Sequence, residues 1–193
     1  MINSQKSASS GNVCVLLSGG IDSTACMAFY LKQNFSVRCM FIDYGQSAAQ
    51  REFLSAKAIA KHYHAPFSRL IWSGLHRKNA GLIFGRNAFL LISALMEMPK
   101  YSGIIAIGAH SGTSYFDCTS SFFRKMQSIF DAYTKGKIQI GVPFLKWTKH
   151  DIMAFCRSYK VPIELTYSCE RGLDQPCGQC LSCRDLEILN ACT

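Results

Sequence analysis

The chain has 193 residues, is 49% hydrophobic, and carries 21 Lys and Arg against 12 Asp and Glu, a formal charge of +9. That apolar content excludes a disordered chain and suits one α/β domain with its own core plus a small appendage. No apolar run is long enough to span a bilayer, and Met1 to Asn12 lack the apolar centre of a secretion signal, so the expected location is cytoplasmic.

Residues 1–11 read as a polar, Ser-rich tail. Val13 to Leu17 form an apolar run of buried-strand character, followed by the glycine turn Ser18-Gly19-Gly20 and a helix that begins at Asp22 or Ser23 and runs to Gln33. Ser36 to Ile42 is a second buried strand, Ser47 to Tyr63 a helix, and Pro66 to Ile71 a third strand. Residues 72–86 are irregular, with Gly74, Gly81 and Gly85 as breakers. Ala88 to Met98 is a strongly apolar helix and Ile104 to Ile107 a short strand. A helix is expected over 120–134, and Gln139 to Phe144 leads into another from Lys149 to Tyr159. Residues 166–184 are cysteine-rich, with a final helix near Leu186 to Ala191. Repeated βα units predict a parallel sheet covered by helices on both faces, with ligands beyond the carboxyl ends of the strands. The expected organisation is an α/β domain over 12–165 and a cysteine-bearing segment over 166–193.

The turn Ser18-Gly19-Gly20-Ile21-Asp22-Ser23 carries the first chemical signal. Glycines let the main chain approach an anion, a helix start aims N–H groups at it, and the hydroxyls of Ser18 and Ser23 add donors. No lysine follows, so this is not the Gly-x-x-x-x-Gly-Lys-Ser/Thr nucleotide loop. The positive charge favours polyanionic partners, but the basic residues are dispersed, and phosphate binding at one site is preferred over an extended nucleic-acid surface.

Ten cysteines fall into two groups. Cys14, Cys26, Cys39, Cys118, Cys156 and Cys192 are scattered, as reduced packing thiols are. Cys169, Cys177, Cys180 and Cys183 are clustered, and the Cys-x-x-Cys-x-x-Cys spacing lets thiolates converge. Four thiolates suit a structural Zn²⁺ with no open position. One alternative is an iron–sulfur cluster, whose bacterial run places a cysteine four positions on, where Glu187 stands; disulfides or no metal is the other.

The order Ser-Gly-Gly-x-Asp-Ser resembles the signature of the PP-loop ATP pyrophosphatases. The whole chain resembles the QueC family, the 7-cyano-7-deazaguanine synthases of queuosine biosynthesis, through five pieces in the family's order. These are Leu17 to Thr24; Asp43-Tyr44-Gly45-Gln46; Gly85-Arg86-Asn87; Tyr115-Phe116-Asp117-Cys118; and Ser168-Cys169 with Cys177 to Cys183. The resemblance implies a PP-loop, Rossmann-like domain of the adenine nucleotide alpha hydrolase-like type with a zinc-binding appendage. It implies an AMP-forming, ATP-dependent carbon–nitrogen ligase, with ATP, Mg²⁺ and structural Zn²⁺, and makes a homodimer or partner protein plausible. Family members activate the carboxylate of 7-carboxy-7-deazaguanine, capture ammonia as an amide, then activate and dehydrate the amide to a nitrile.

By that resemblance Ser18, Gly19, Gly20, Asp22 and Ser23 cradle the ATP phosphates, with Asp22 near Mg²⁺ or capping the helix. Main-chain groups of Phe41, Ile42 and Asp43 receive adenine. Gly85, Arg86 and Asn87 align ATP or substrate, and Tyr115 and Asp117 belong to the substrate region. Asp22, Ser23 and Arg86 are the catalytic candidates, Cys169, Cys177, Cys180 and Cys183 the metal ligands. Lys146 and Lys149 are expected to be solvated.

The chain departs from the family where the deazaguanine is received. Where the family reads Asp-Tyr-Ser-Gly-Tyr-Pro-Asp-Cys-Arg-Pro-Glu-Phe, this chain has Ser111 to Phe122 without the first acid, the proline, the arginine or the later glutamate. Ala48 replaces a histidine, Tyr167 a tryptophan, and the connection from Tyr63 to Gly85 is short. A changed carboxylate substrate is therefore expected. The resemblance extends to QueC-like proteins of anti-phage gene clusters that look suited to joining a deazaguanine to a protein amine, and the sequence leaves ammonia and a protein amine both open as acceptor. Two other readings stand beside this one: a PP-loop enzyme that thiolates tRNA, for which Cys118 is the candidate sulfur, and a non-catalytic nucleotide- or partner-binding subunit.

Overall fold

The computed structural model of the protein describes residues 11–73, 83–98, 102–110, 112 and 115–191, without the side chains of 188–191. The tail 1–10, the breakers Gly74 and Gly81, Ser111, Thr113, Ser114 and Cys192 lie outside the described residues.

Five strands form one parallel sheet in the order β3-β2-β1-β4-β5. They are β1 (Asn12–Leu16), β2 (Ser36–Asp43), β3 (Phe67–Ile71), β4 (Gly103–Ala106) and β5 (Ile138–Gly141). The helices are α1 (Ile21–Lys32), α2 (Ala49–His62), α3 (Arg86–Met96), α4 (Ser120–Thr134), α5 (Lys149–Ser158) and α6 (Leu181–Ala191). Chain direction across the sheet reverses between β1 and β4, and the crevice at such a switch point is where open α/β sheets take ligands.

The period-two geometry of β1 builds both cores. Val13, Val15 and Leu17 face one side and pack with Ala25 of α1, Ile59 of α2 and Ile152 of α5. Cys14 and Leu16 face the other and pack with Leu91 of α3 and Phe130 of α4. Both faces are buried, as expected for a parallel sheet. Cys14, Cys26, Cys39 and Cys156 are buried in these cores, and burial pushes the Cys39 and Cys156 thiols up to about 12. They are packing thiols in the neutral form.

Three details differ from the sequence expectations. Helix α1 starts at Ile21, with Gly20 in the N-cap position and no side-chain cap. Asp22 therefore does not cap the helix; it sits inside the first turn, free to act elsewhere. The segment leading to α5 contains a strand, Ile138–Gly141, which pairs with β4. Helix α5 begins at Lys149 as expected, behind an N-terminal capping box between Thr148 and Asp151. Finally, α6 begins at Leu181 rather than Leu186, so Cys183 is helical. The Oε1 atom of Glu170 accepts from the Ser182 hydroxyl at 2.9 Å and from its main-chain N–H at 3.4 Å, which satisfies the helix start.

Candidate active site

A cleft of about 370 Å³ lies at the carboxyl ends of β1, β2 and β4. Ser18, Gly20, Asp22 and Ser23 form its floor, Phe41, Ile42 and Tyr44 one side, and Ile107 to His110 the other. Arg86 and Asn87 reach it from the start of α3, Lys149 from the start of α5, and Tyr115 from the segment before α4. Tyr167, Ser168, Glu170, Ser182 and Asp185 of the cysteine-rich appendage close it.

The two glycines of the turn serve different ends. Gly19 has φ +83°, and a Cβ there would lie 2.6 Å from the Glu52 carbonyl oxygen and 2.9 Å from the Ser55 Cβ. Its own carbonyl accepts from the Ser55 hydroxyl at 2.8 Å and from Tyr167 N–H at 2.9 Å, tying turn, α2 and appendage together. At Gly20 a Cβ would meet nothing closer than 3.6 Å. Nothing in the protein itself demands glycine there, and the bare backbone faces the cleft. Ser23 and Thr24 both donate to the Gly20 carbonyl at 2.9 Å, and the hydroxyls of Ser18 and Ser23 are 3.1 Å apart.

Asp22 is the centre of the charged arrangement. Its Oδ2 lies 2.5 Å from Lys149 Nζ and 3.8 Å from His110 Nε2, while its Oδ1 is buried without a hydrogen-bond partner. Lys149 is thus held at the cleft rather than solvated. His110 is 7% exposed. Its Nδ1 accepts from Gly112 N–H at 2.9 Å, and burial holds the imidazole below the usual histidine range. On the other side of the cleft, Gln46 Nε2 donates to Glu52 Oε2 at 2.8 Å, and burial raises the Glu52 carboxyl above the ordinary range.

Of the sequence candidates, Ser18, Gly20, Asp22, Ser23, Phe41, Ile42, Arg86, Asn87 and Tyr115 converge on the cleft. Gly19 stands behind it, and Gly85 supplies the left-handed turn (φ +74°) that starts α3. The Asp43 carboxylate turns away, accepting from Arg69 at 2.6 Å and from Gly45 N–H at 3.0 Å. Asp117 is buried; its Oδ2 accepts from Asn87 N–H at 3.2 Å and its carbonyl from Asn87 Nδ2 at 2.9 Å, so it orients the first turn of α3. Thr119, where the family has arginine, caps α4 by accepting from Phe122 N–H. His110, Glu52 and Lys149 were missed or undervalued because isolated residues carry no spacing signal; only the last stands in a readable frame, the first residue after a Thr cap.

The sulfur atoms of Cys169, Cys177, Cys180 and Cys183 all lie within 4.8 Å of one another. Tetrahedral zinc with bonds of about 2.3 Å requires sulfurs about 3.8 Å apart, and Cys177 and Cys183 are 3.9 Å apart. Main-chain N–H groups of Gln179 and Cys180 pull the Cys177 thiol down to about 6, while burial pushes the Cys183 thiol up to about 12. The cluster could bind a metal ion.

The family model described as "Queuosine biosynthesis protein QueC" matches residues 12–80 and 75–187. The chain belongs to the QueC family. It is 31% identical to the 7-cyano-7-deazaguanine synthase of a Nitratiruptor species, over 88% of this chain and 89% of that protein. The synthase of Picrophilus torridus is 32% identical over 89% of this chain and 83% of the relative. Among solved structures, NMN synthetase from Francisella tularensis superposes with a TM-score of 0.52 at 15% identity, covering 94% of this chain and 82% of the other. A predicted subunit of tRNA methyltransferase from Methanocaldococcus jannaschii gives 0.52 at 17% identity, over 76% and 74%. These two likenesses show the fold. As a QueC-family protein of the PP-loop class, the chain is an ATP-using enzyme, and among its described residues no helix is long and apolar enough to cross a membrane.

Proposed function

We propose that this QueC-family protein is an AMP-forming ligase that adenylates the carboxylate of 7-carboxy-7-deazaguanine and passes the acyl group to an amine. The observation that carries this reading is the bare Gly20 backbone at the first turn of α1, facing a cleft that also holds Asp22, Ser23, Arg86 and Lys149. A carboxylate is a poor electrophile and its oxygen a poor leaving group. Attack of a carboxylate oxygen on the α-phosphorus breaks the α–β phosphoanhydride bond and expels pyrophosphate. An amine then forms the C–N bond at the acyl carbon, the C–O bond to AMP breaks, and the amine gives up a proton. A second adenylation, at the amide oxygen, converts the amide to a nitrile with loss of AMP and two protons.

The chain's task is to position and to neutralise charge. Main-chain amides of the turn, Ser18, Ser23 and Lys149 hold phosphate oxygens, and the ends of Phe41 and Ile42 receive the adenine. Asp22 Oδ1, buried and unpartnered, fits a Mg²⁺ ligand; the ion would supply charge neutralisation at the triphosphate. The four cysteines would hold Zn²⁺ as a structural tie. Ammonia is the first acceptor in this reading; a protein amine, equally a nucleophile toward an acyl adenylate, is the second.

Purified protein with ATP, Mg²⁺, ammonia and 7-carboxy-7-deazaguanine is expected to release AMP and pyrophosphate. No AMP above the control without acid, from folded and metal-loaded protein, overturns the proposal. Product mass separates nitrile, amide and protein adduct.

A further inference from the structure

His110 is the one buried imidazole that faces the cleft among the described residues, and the scheme above leaves it without a task. It lies four residues beyond the end of β4, on the far side of β1 from the strand end that receives the nucleoside. Three features define what it can do. Its Nδ1 accepts a hydrogen bond from Gly112 N–H, so the ring proton of the neutral form resides on Nε2. That Nε2–H points towards the first turn of α1, where Asp22 Oδ2 is 3.8 Å away, outside hydrogen-bond range. Asp22 Oδ2 is itself engaged by Lys149 at 2.5 Å, so the carboxylate draws its close hydrogen bond from Lys149 rather than from the imidazole.

A proton-accepting role for Nε2 conflicts with this arrangement. It requires moving the ring proton to Nδ1, which breaks the Gly112 bond and sets two N–H groups against each other. His110 is built as a donor. Asp22 Oδ2 lies between Nε2–H and Lys149 Nζ, and all three line the cleft with Gly20 and Ser23 of the α1 start. A ligand with several anionic oxygens can take up both side-chain donors and the helix start together, the Asp22 charge being offset by Lys149.

Position identifies which part of the ligand this is. Neighbouring strands lie about 4.8 Å apart, so the β2 and β4 ends are separated by about 10 Å. That is the distance over which a nucleotide extends from its base to its terminal phosphates. With the base at the β2 side, the β4 side receives the phosphate tail.

We infer that His110 is a pyrophosphate-binding residue, donating Nε2–H to an oxygen of the β,γ-pyrophosphate of ATP opposite Lys149. This rests on the reading that the Ser18 to Ser23 turn holds the triphosphate. It adds a residue that selects for the leaving group over the nucleoside monophosphate.

The test is calorimetric titration of the full-length protein, in Mg²⁺, with inorganic pyrophosphate and separately with AMP. His110→Ala is expected to weaken pyrophosphate binding about tenfold or more while AMP binding stays within about twofold. His110→Gln, whose amide N–H can stand near the Nε2 position, is expected to recover most of the affinity. His110→Phe keeps a buried ring without the donor, and gives the same contrast should the smaller side chain not fold. Unchanged pyrophosphate affinity in the Ala and Phe proteins overturns the inference, as does an equal loss for both ligands, which would make His110 a packing residue. Absence of pyrophosphate binding by the parent overturns the nucleotide-site reading and the inference together, so the two failures are separable.

Discussion

Lys149 Nζ lies 2.5 Å from Asp22 Oδ2, joining the start of α5 to the first turn of α1 across the cleft. The pair is less than a third exposed on both sides, so it is screened less than a surface pair. It brings a cation to the turn from Ser18 to Ser23, which has no lysine of its own. Lys149→Met is expected to reduce kcat/KM for ATP about tenfold to a hundredfold. Steady-state kinetics with varied ATP checks this; a change below about twofold removes Lys149 from the site.

Asp22→Ala and Ser23→Ala are expected to lower ATP turnover while bound metal stays at the parent's level, because the cysteine cluster uses neither residue. Turnover and metal content, measured on the same preparations, separate the two sites. Equal turnover in all three proteins would refute the assignment.

Gly19 and Gly20 are neighbours with opposite expected phenotypes. Gly19→Ala drives a Cβ to within 2.6 Å of the Glu52 carbonyl oxygen from a backbone at φ +83°, and is expected to cost on the order of 1–3 kcal/mol of stability. Gly20→Ala has room in the free protein, so its Tm should stay close to the parent's while ATP binding is lost. Thermal unfolding with and without ATP distinguishes the pair.

The appendage contributes a wall of the cleft, so removing a metal held by the four cysteines is expected to have a functional consequence. Chelation or Cys177→Ser is expected to lower Tm and also to weaken ATP binding, because Tyr167, Glu170 and Asp185 lose their anchor. Full ATP affinity in metal-free, folded protein would show the wall to be independent of the ion.

Glu52 gives a pH signature. Burial raises its carboxyl above the ordinary range, offset in part by the Gln46 hydrogen bond and by Arg86. Well below the ordinary glutamate pKa the group is neutral both folded and unfolded. As pH rises the unfolded chain ionises first, the folded protein binds more protons, and stability falls. Glu52→Gln removes that loss, so its Tm relative to the parent is expected to be higher at pH 7 than at pH 4. An equal difference at both pH values would show that Glu52 has no such shift.

Local pattern carried much of the fold. The apolar runs of β1 and β2 are short and two-sided, which only a sheet covered on both faces can bury, and helix α4 spans 120–134 as its periodicity predicts. Strand β5 was harder to read because the alternating Ile138-Gln139-Ile140 is only one short repeat of the period-two pattern, and Ile138–Gly141 becomes a strand by pairing with β4. The start of α6 was misjudged because its first turn depends on Glu170, eleven positions before Leu181.

The chain by itself determined the glycine turn after β1, the four-thiol cluster and the βα order, because each is set by residues close in sequence whose spacing has direct geometric meaning. Tertiary structure alone decided that Asp22 meets Lys149 rather than capping its helix, that His110 turns Nε2 towards them, and that Asp117 orients Asn87. These contacts join elements far apart along the chain, and only closure of the sheet brings their partners within reach.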